Sequence, residues 1–270
     1  MFNSTAYQLF MRPFDFSFVI NNFYLLLPYI GKSLLVMALS VFFGSALGFL
    51  LAWGRLSHSK IANCFAAIYV HLIRCTPSIV LLFLVYYGLP QLFYKITSIR
   101  IGYNGKIFYV TITLSLIFAA SMCELFRSAY YAVDYGQTEA AHACGMNARQ
   151  TAWLIIIPQA ASCALPVFCT ELISLLKQGA LAFTIGFIDL MGEAQVIVSR
   201  DYGAHGLETY IALAIIYWTL TIIIEQVGKI LENLFSKGKT IPGSSAGESP
   251  SYVANIKGIF TFSKKSNTWN

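Results

Sequence analysis

Ser33–Gly54 reads SLLVMALSVFFGSALGFLLAWG, 22 residues without one charged side chain. At about 1.5 Å per residue this stretch spans the roughly 30 Å of a bilayer's hydrocarbon core as a helix. It is apolar on every side, whereas a surface helix of a soluble domain keeps a polar face. Basic residues close it, with Lys32 before and Arg55, His58 and Lys60 after. Gly44 and Gly48 form a G-x-x-x-G, a spacing that lets another helix approach closely. The rest of the chain agrees. Of 270 residues 57% are apolar and 11% charged, with a mean hydropathy of +0.65. Soluble domains carry about a quarter charged residues. A soluble enzyme core, a disordered chain, a collagen, a coiled coil and a secreted disulfide scaffold are thereby excluded. Long apolar runs, rather than alternating segments of about ten residues, make this an all-α integral membrane protein.

Outward from that helix, residues 1–32 begin polar and aromatic, with Phe14, Phe16, Phe18 and Phe23 before Pro28. No cationic segment precedes a short apolar core, so an interfacial lead-in is expected rather than a signal peptide. Ile61–Phe93 is apolar except for His71 and Arg74-Cys75-Thr76-Pro77. Proline removes a backbone donor and disfavours helix at the residue before it. The run should therefore split into a lead-in helix and a crossing at 77–94, with Gly88-Leu89-Pro90 at the outer end. A crossing made of 61–73 alone would be too short. After a loop holding Lys95, Arg100, Tyr103-Asn104-Gly105 and Lys106, Phe108–Cys123 forms the third crossing, closed by Glu124 and Arg127. The polar interval Ser128–Thr151 follows. Trp153–Leu190 is apolar again, with expected breaks at Pro158 and Pro166 and a crossing at 163–188. A polar loop, Gly192–Glu208, then leads to a last crossing at 209–231 and a flexible basic tail, 232–270.

Five crossings place the termini on opposite sides. Arg55, Lys60, Arg127, Arg149 and the lysines at 229, 237, 239, 257, 264 and 265 share one side, and Arg12, Lys32, Lys95, Arg100, Lys106 and Arg200 the other. The bias favours an outer N-terminus and a cytoplasmic C-terminus. The net charge of +6 thus describes sidedness near anionic lipid, not a nucleic-acid groove. Cys64, Cys75, Cys123, Cys144, Cys163 and Cys169 lack metal spacing and read as buried, unpaired small hydrophobes. His71, His142 and His205 are isolated, which argues against a metal site.

The long polar interval continues into DYGQTEAAHACGMNARQTAWLIIIP, residues 134–158. Gly136 should end one helical region and Gln137–Ala143 form a short helix, with Gly145 in the left-handed position after it. Asn147 can cap the next helix, with Gln150 completing a capping box. A compact helix–turn–helix at the membrane surface is expected. Ala140 and Ala141 would leave a face open to close approach, and Glu139 would sit at the helix's N-terminal side.

Glu139-Ala140-Ala141, then Gly145 and Ile157-Pro158, resemble the EAA loop of ABC importer permease subunits. Three further stretches resemble the polar amino-acid uptake branch of that family: Arg74-Cys75-Thr76-Pro77 through Tyr86-Tyr87-Gly88-Leu89-Pro90, Glu124-Leu125-Phe126-Arg127, and Ile173-Ser174-Leu175-Leu176-Lys177. They occur in the family's order over residues 14–230. Cys75 and Ser128 stand where the family usually has glycine. The resemblance implies the type I ABC importer fold and a non-catalytic permease subunit of an amino-acid importer in the bacterial cytoplasmic membrane. It implies as partners an ABC ATPase dimer, a second permease subunit, identical or paralogous, and an extracytoplasmic solute-binding protein. Glu139, Ala140, Ala141 and Gly145 would couple to the ATPase. ATP and magnesium would be bound by that partner, with no cofactor on this chain. Gly31-Lys32-Ser33 mimics the end of a phosphate loop, but Leu26 stands where its first glycine is required.

Candidates for the translocation path or gate are Arg74, Thr76, Pro77, Glu124, Arg127, Glu171 and Lys177. Glu124 and Arg127, three apart, share a helix face and equally suit a structural ion pair. Glu171 and Lys177, six apart, face different directions and need partners elsewhere. Arg74 could hold the broken backbone or meet a substrate carboxylate. An ion-coupled secondary transporter, with Glu124, Glu171 and Lys177 carrying ions, is the alternative. The crossing count and the absence of repeat halves stand against it. A membrane-embedded enzyme lacks support, because no Ser/His/Asp set or H-E-x-x-H is present.

Overall fold

Asp15 opens the first helix, α1 (Phe16–Leu26), by accepting the Ser17 amide at 2.9 Å. A single 3₁₀ turn, Leu27–Tyr29, carries the chain over Pro28 into α2 (Ile30–Leu56). In this computed structural model, which describes residues 14–57, 59–98 and 105–236, every regular element among the described residues is a helix. The aromatic lead-in is helical from Phe16 and runs into the first crossing as one apolar stretch, Phe16–Leu56. The other candidate spans are Ser78–Thr97, Lys106–Tyr131, Ala148–Ile185 and Gly206–Leu234, five in all. Arg12, His58, Arg100, Tyr103, Asn104 and the tail lysines from 237 onward lie outside the described residues.

The helix α3 (Lys60–Cys75) stops where the Arg-Cys-Thr-Pro motif requires. Thr76 is extended, at φ −93° and ψ 128°, and its hydroxyl donates to the Leu72 carbonyl at 2.7 Å. A fresh helix, α4 (Ser78–Phe83), begins on Pro77, passes through a π-turn at Leu84–Gly88, and continues as α5 (Leu89–Thr97). Gly88-Leu89-Pro90 therefore does not end the crossing. The wider π-turn moves the carbonyls away from the proline ring, so the helix passes through Pro90.

The same device recurs later. After α6 (Lys106–Tyr131), α7 (Tyr135–Ala143) and α8 (Ala148–Thr151), a π-turn at Ala152–Ile156 precedes α9 (Ile157–Gly179), whose second residue is Pro158. The Ile157 amide reaches five residues back to the Ala152 carbonyl. Pro166 also lies inside α9, and the Ser162 and Thr170 hydroxyls donate to the Pro158 and Pro166 carbonyls. Neither proline breaks the helix, and the span runs from Ala148 through a 3₁₀ end at Ala180–Ile185.

The polar residues after it are not a loop. Leu190–Arg200 is a helix, α10, and only Asp201–His205 form a turn before α11 (Gly206–Ser236). Asp189 caps α10 through the Gly192 amide at 2.9 Å and accepts the Ser33 hydroxyl at 3.3 Å. Ser33 in turn accepts the Leu190 amide, so α10 is tied to α2. Burial raises the Asp189 pKa, opposed by hydrogen bonds from Gly192 and Ser33.

Two glycines set the closest helix pair. A Cβ at Gly48 would stand 2.5 Å from the Met122 Cβ and 2.9 Å from the Ala119 carbonyl, and one at Gly44 would stand 2.9 Å from the Ser115 carbonyl. The G-x-x-x-G thus packs α2 against α6, whose Phe118, Ala119, Met122 and Cys123 are buried. Gly48→Leu is expected to destabilise this pair by about 3 kcal/mol or more, since backbone would have to move. Thermal unfolding in detergent is the measurement; an unchanged midpoint would refute the packing role. Of the six cysteines only Cys123 is fully buried; Cys64, Cys75, Cys144 and Cys163 are exposed and Cys169 is intermediate. The expectation of burial fails because helices in lipid need no polar exterior, so apolar context does not imply an interior position.

Candidate functional site

The interval between α6 and α9 is built by local capping. Asp134 opens α7 by accepting the Gly136 amide at 2.7 Å. Gly136 therefore lies in the first turn of this helix rather than ending another. The Gly145 and Met146 amides donate to the His142 and Ala141 carbonyls, the paired bonds of a Schellman ending. Gly145 takes φ +80°, and a Cβ there would meet nothing within 4 Å. Asn147 and Gln150 form the reciprocal capping box, both bonds 2.9 Å long. The Gln159 side chain donates to that of Gln137 at 3.4 Å, holding α7 to the start of α9.

Glu139 is the fifth residue of α7, so Asp134, not Glu139, meets the helix N-terminus. The two alanines divide. Ala140 is exposed and Ala141 is 6% exposed, packed inward. Glu139, Ala140, Gly145 and Tyr135 together present an outward face on a rigid, doubly capped turn.

A second group gathers at the break after α3. The Ser78 hydroxyl donates to Gln178 on α9 at 3.3 Å, and Gln178 donates to Ser174 at 3.2 Å. Glu171, Ser174 and Gln178 follow i, i+3, i+7 spacing, one face of α9. Sequence reasoning missed Ser78, Ser174 and Gln178; that spacing was the available signal. Glu171 is half-buried, Lys177 is exposed, and neither has a charged partner among the described residues. Only 6% of the apolar stretch in the Ala148–Ile185 span is buried, against 56% for α6. This helix therefore offers a bare face, with Trp153, Leu154 and Val167 exposed on it.

Charges cluster a third time. Glu124 receives Arg127 at 2.7 Å and Arg55, from the end of α2, at 3.3 Å. Arg74 lies within electrostatic reach of the same carboxylate. The ion pair expected from spacing is present, and Arg55 joins it unforeseen. The structure thus brings Glu124 and Arg127 together, leaves Arg74 within electrostatic reach but unpaired among the described residues, and pairs neither Glu171 nor Lys177 with them. His142 closes the α7 turn against the Met146 carbonyl at 3.0 Å, and His205 stacks on Phe18 at 3.6 Å and pairs with Asp201. Among the described residues no three metal-binding side chains converge.

Residues 44–237 match the family model described as the binding-protein-dependent transport system inner membrane component. The L-cystine transport system permease protein TcyL of Bacillus subtilis (strain 168) is 34% identical over 229 residues, 85% of this chain and 95% of that protein. The arginine transport system permease protein ArtQ of the same organism is 32% identical over 219 residues, covering 81% and 95%. Among solved structures, an amino acid ABC transporter with histidines superposes with a TM-score of 0.72 at 30% identity, over 83% of this chain and 100% of that one. The MetNI methionine ABC transporter, at 21% identity and a TM-score of 0.60, shares the fold over 78% and 96%.

Proposed function

As this chain belongs to the family of binding-protein-dependent transport system inner membrane components and is the permease subunit of an ABC amino-acid importer, we propose that its α7 turn docks the ATPase and its α9 lines the path. The observation that carries the docking role is the doubly capped, outward-facing turn at Glu139–Gly145. A rigid short helix transmits a push from a neighbouring subunit without absorbing it in its own bending. Glu139, Ala140 and Gly145 form the contact, and Ala141 anchors the helix to the permease. The turn, Arg55 and Arg127 lie on the cytoplasmic side, with the N-terminus outside, in the orientation the charge bias supports.

The bare face of α9 supports a second permease copy or a close paralogue across from it, with Glu171, Ser174 and Gln178 toward the path between them. Thr76 and Pro77 provide the flexible break beside that path, and Ser78 bridges it to α9. The substrate is a polar amino acid delivered by an extracytoplasmic binding protein, in the bacterial inner membrane. The decisive experiment reconstitutes the complex in proteoliposomes and follows uptake of labelled amino acids with competitors. Uptake is expected to require ATP and to survive an uncoupler. Uptake that continues without ATP and collapses with the uncoupler would replace this reading with ion-coupled transport.

A further inference from the structure

Two arginines pair with one carboxylate where α2 and α6 meet, and a third, on α3, adds its charge nearby. Glu124 pairs with Arg127 and Arg55, and Arg74 stands within electrostatic reach. No second carboxylate pairs with any of the three among the described residues. The paired cluster therefore holds one uncompensated positive charge, and Arg74 adds a second within electrostatic reach. Its members are only partly solvated, with the side chains of Arg55, Glu124 and Arg127 at 17%, 21% and 33% exposure. The Arg55 Nε is enclosed without an acceptor, and the exposed Arg74 side chain forms no ion pair among the described residues. Excess charge in such a place is costly unless an anion completes it.

The surroundings identify the source of that anion. Exposed Phe49 and Trp53 lie near the end of α2, and Tyr130 and Tyr131 close α6, with Arg127 over the Tyr131 ring at 5.9 Å. Amphipathic aromatics of this kind collect at headgroup level, beside the last residues of a crossing. Guanidiniums take phosphate oxygens in pairs of parallel hydrogen bonds. We propose that Arg55, Arg74 and Arg127 form a binding site for the phosphate of an anionic phospholipid, with Glu124 holding the guanidiniums apart and in place. The lipid's glycerol and acyl groups lie along the exposed aromatics, contacts that a free phosphate does not use. This site requires only that the chain spans a membrane, and it stands whether or not the α7 turn docks an ATPase.

The test uses the assembled transport complex in nanodiscs of phosphatidylcholine containing increasing phosphatidylglycerol. Lipids retained after release are counted by native mass spectrometry, and thermal midpoints are read in parallel. The wild-type complex is expected to retain phosphatidylglycerol in preference to phosphatidylcholine. Arg74→Gln, which breaks no ion pair among the described residues, should weaken that retention about five-fold. Glu124→Gln, which keeps an acceptor oxygen to position the guanidiniums but removes the competing charge, should strengthen it, and Lys95→Gln should leave it unchanged. Equal retention by wild type and Arg74→Gln overturns the proposal. So does inorganic phosphate in pure phosphatidylcholine discs raising the midpoint as much as phosphatidylglycerol does, which would make the occupant a free anion. Retention seen only when the ATPase subunit is absent overturns it too, assigning the arginines to an acidic partner surface.

Discussion

Gly145→Arg should reduce ATP-driven uptake by on the order of thirty-fold or more while leaving the subunit folded in the membrane. Two independent costs explain why function falls and folding survives. A non-glycine residue in the left-handed conformation costs about 1–2 kcal/mol, small against the roughly 5–15 kcal/mol that holds a domain together. Nothing lies within 4 Å of the position its Cβ would take, so no internal clash is added. The long charged side chain instead projects from the outward face of the turn, where loss of a central contact is worth about 2 kcal/mol or more. Gly145→Asn is the control, since asparagine accepts the left-handed conformation and projects little. Uptake and substrate-stimulated ATP hydrolysis should both persist in it at near wild-type level. If Gly145→Arg also keeps both, the turn is not the docking surface.

The second large effect is expected at Lys177. A lysine near the end of an apolar helix is costly in lipid and is tolerated where it faces water, a partner subunit or a substrate. Lys177 has no charged partner among the described residues. It follows directly on Leu175 and Leu176, which are buried, and precedes Gln178, which bridges to Ser78. Lys177→Ala should weaken the apparent affinity for the transported amino acid by about ten-fold, the loss of one charge-assisted hydrogen bond. Lys95→Ala, at an exposed position in the last turn of α5, should be silent. The readout is the concentration dependence of uptake, with basal ATP hydrolysis measured alongside. Indistinguishable curves for the two variants would remove Lys177 from the path.

The parts of this molecule that depend on neighbours in sequence are legible in the sequence itself. Ser33–Gly54 announced a crossing because apolar length alone decides it, and the break at Thr76–Pro77 followed from proline's missing donor. Gly145 and Asn147 were readable because capping is a contract between residues at most five apart. Errors began where local rules were offset by distant or subtler geometry. Pro90 and Pro158 looked like helix ends, yet a π-turn before each admits the ring. Gly192–Arg200 reads as part of a loop because Arg200, Asp201 and His205 make the stretch polar, although Asp189 followed by Glu193 is a helix-start signal. Arg55 could not have been assigned to Glu124 from sequence, since 69 residues separate them. Ser78 and Gln178, 100 residues apart, are the same case.

Each π-turn inserts one residue into a helix without lengthening the chain's path around it. The residue pattern beyond it is therefore displaced by about 100° from that of an uninterrupted α-helix. Ser78 at the start of α4 and the residues of α5 beyond the turn are thereby aimed as though on two separate rods sharing an axis. The same offset separates the α7 side of Ala152–Ile156 from the Glu171–Gln178 stripe of α9. A single-residue deletion at Leu84–Gly88 or Ala152–Ile156 would restore an ordinary helix and keep its length almost unchanged. It would also leave the two ends facing as they do now, whereas winding the same five residues as α-helix with no deletion would re-aim one end relative to the other by more than a quarter turn. In these two crossings the phase of the screw, rather than the identity of any one side chain, sets which residues can face one another.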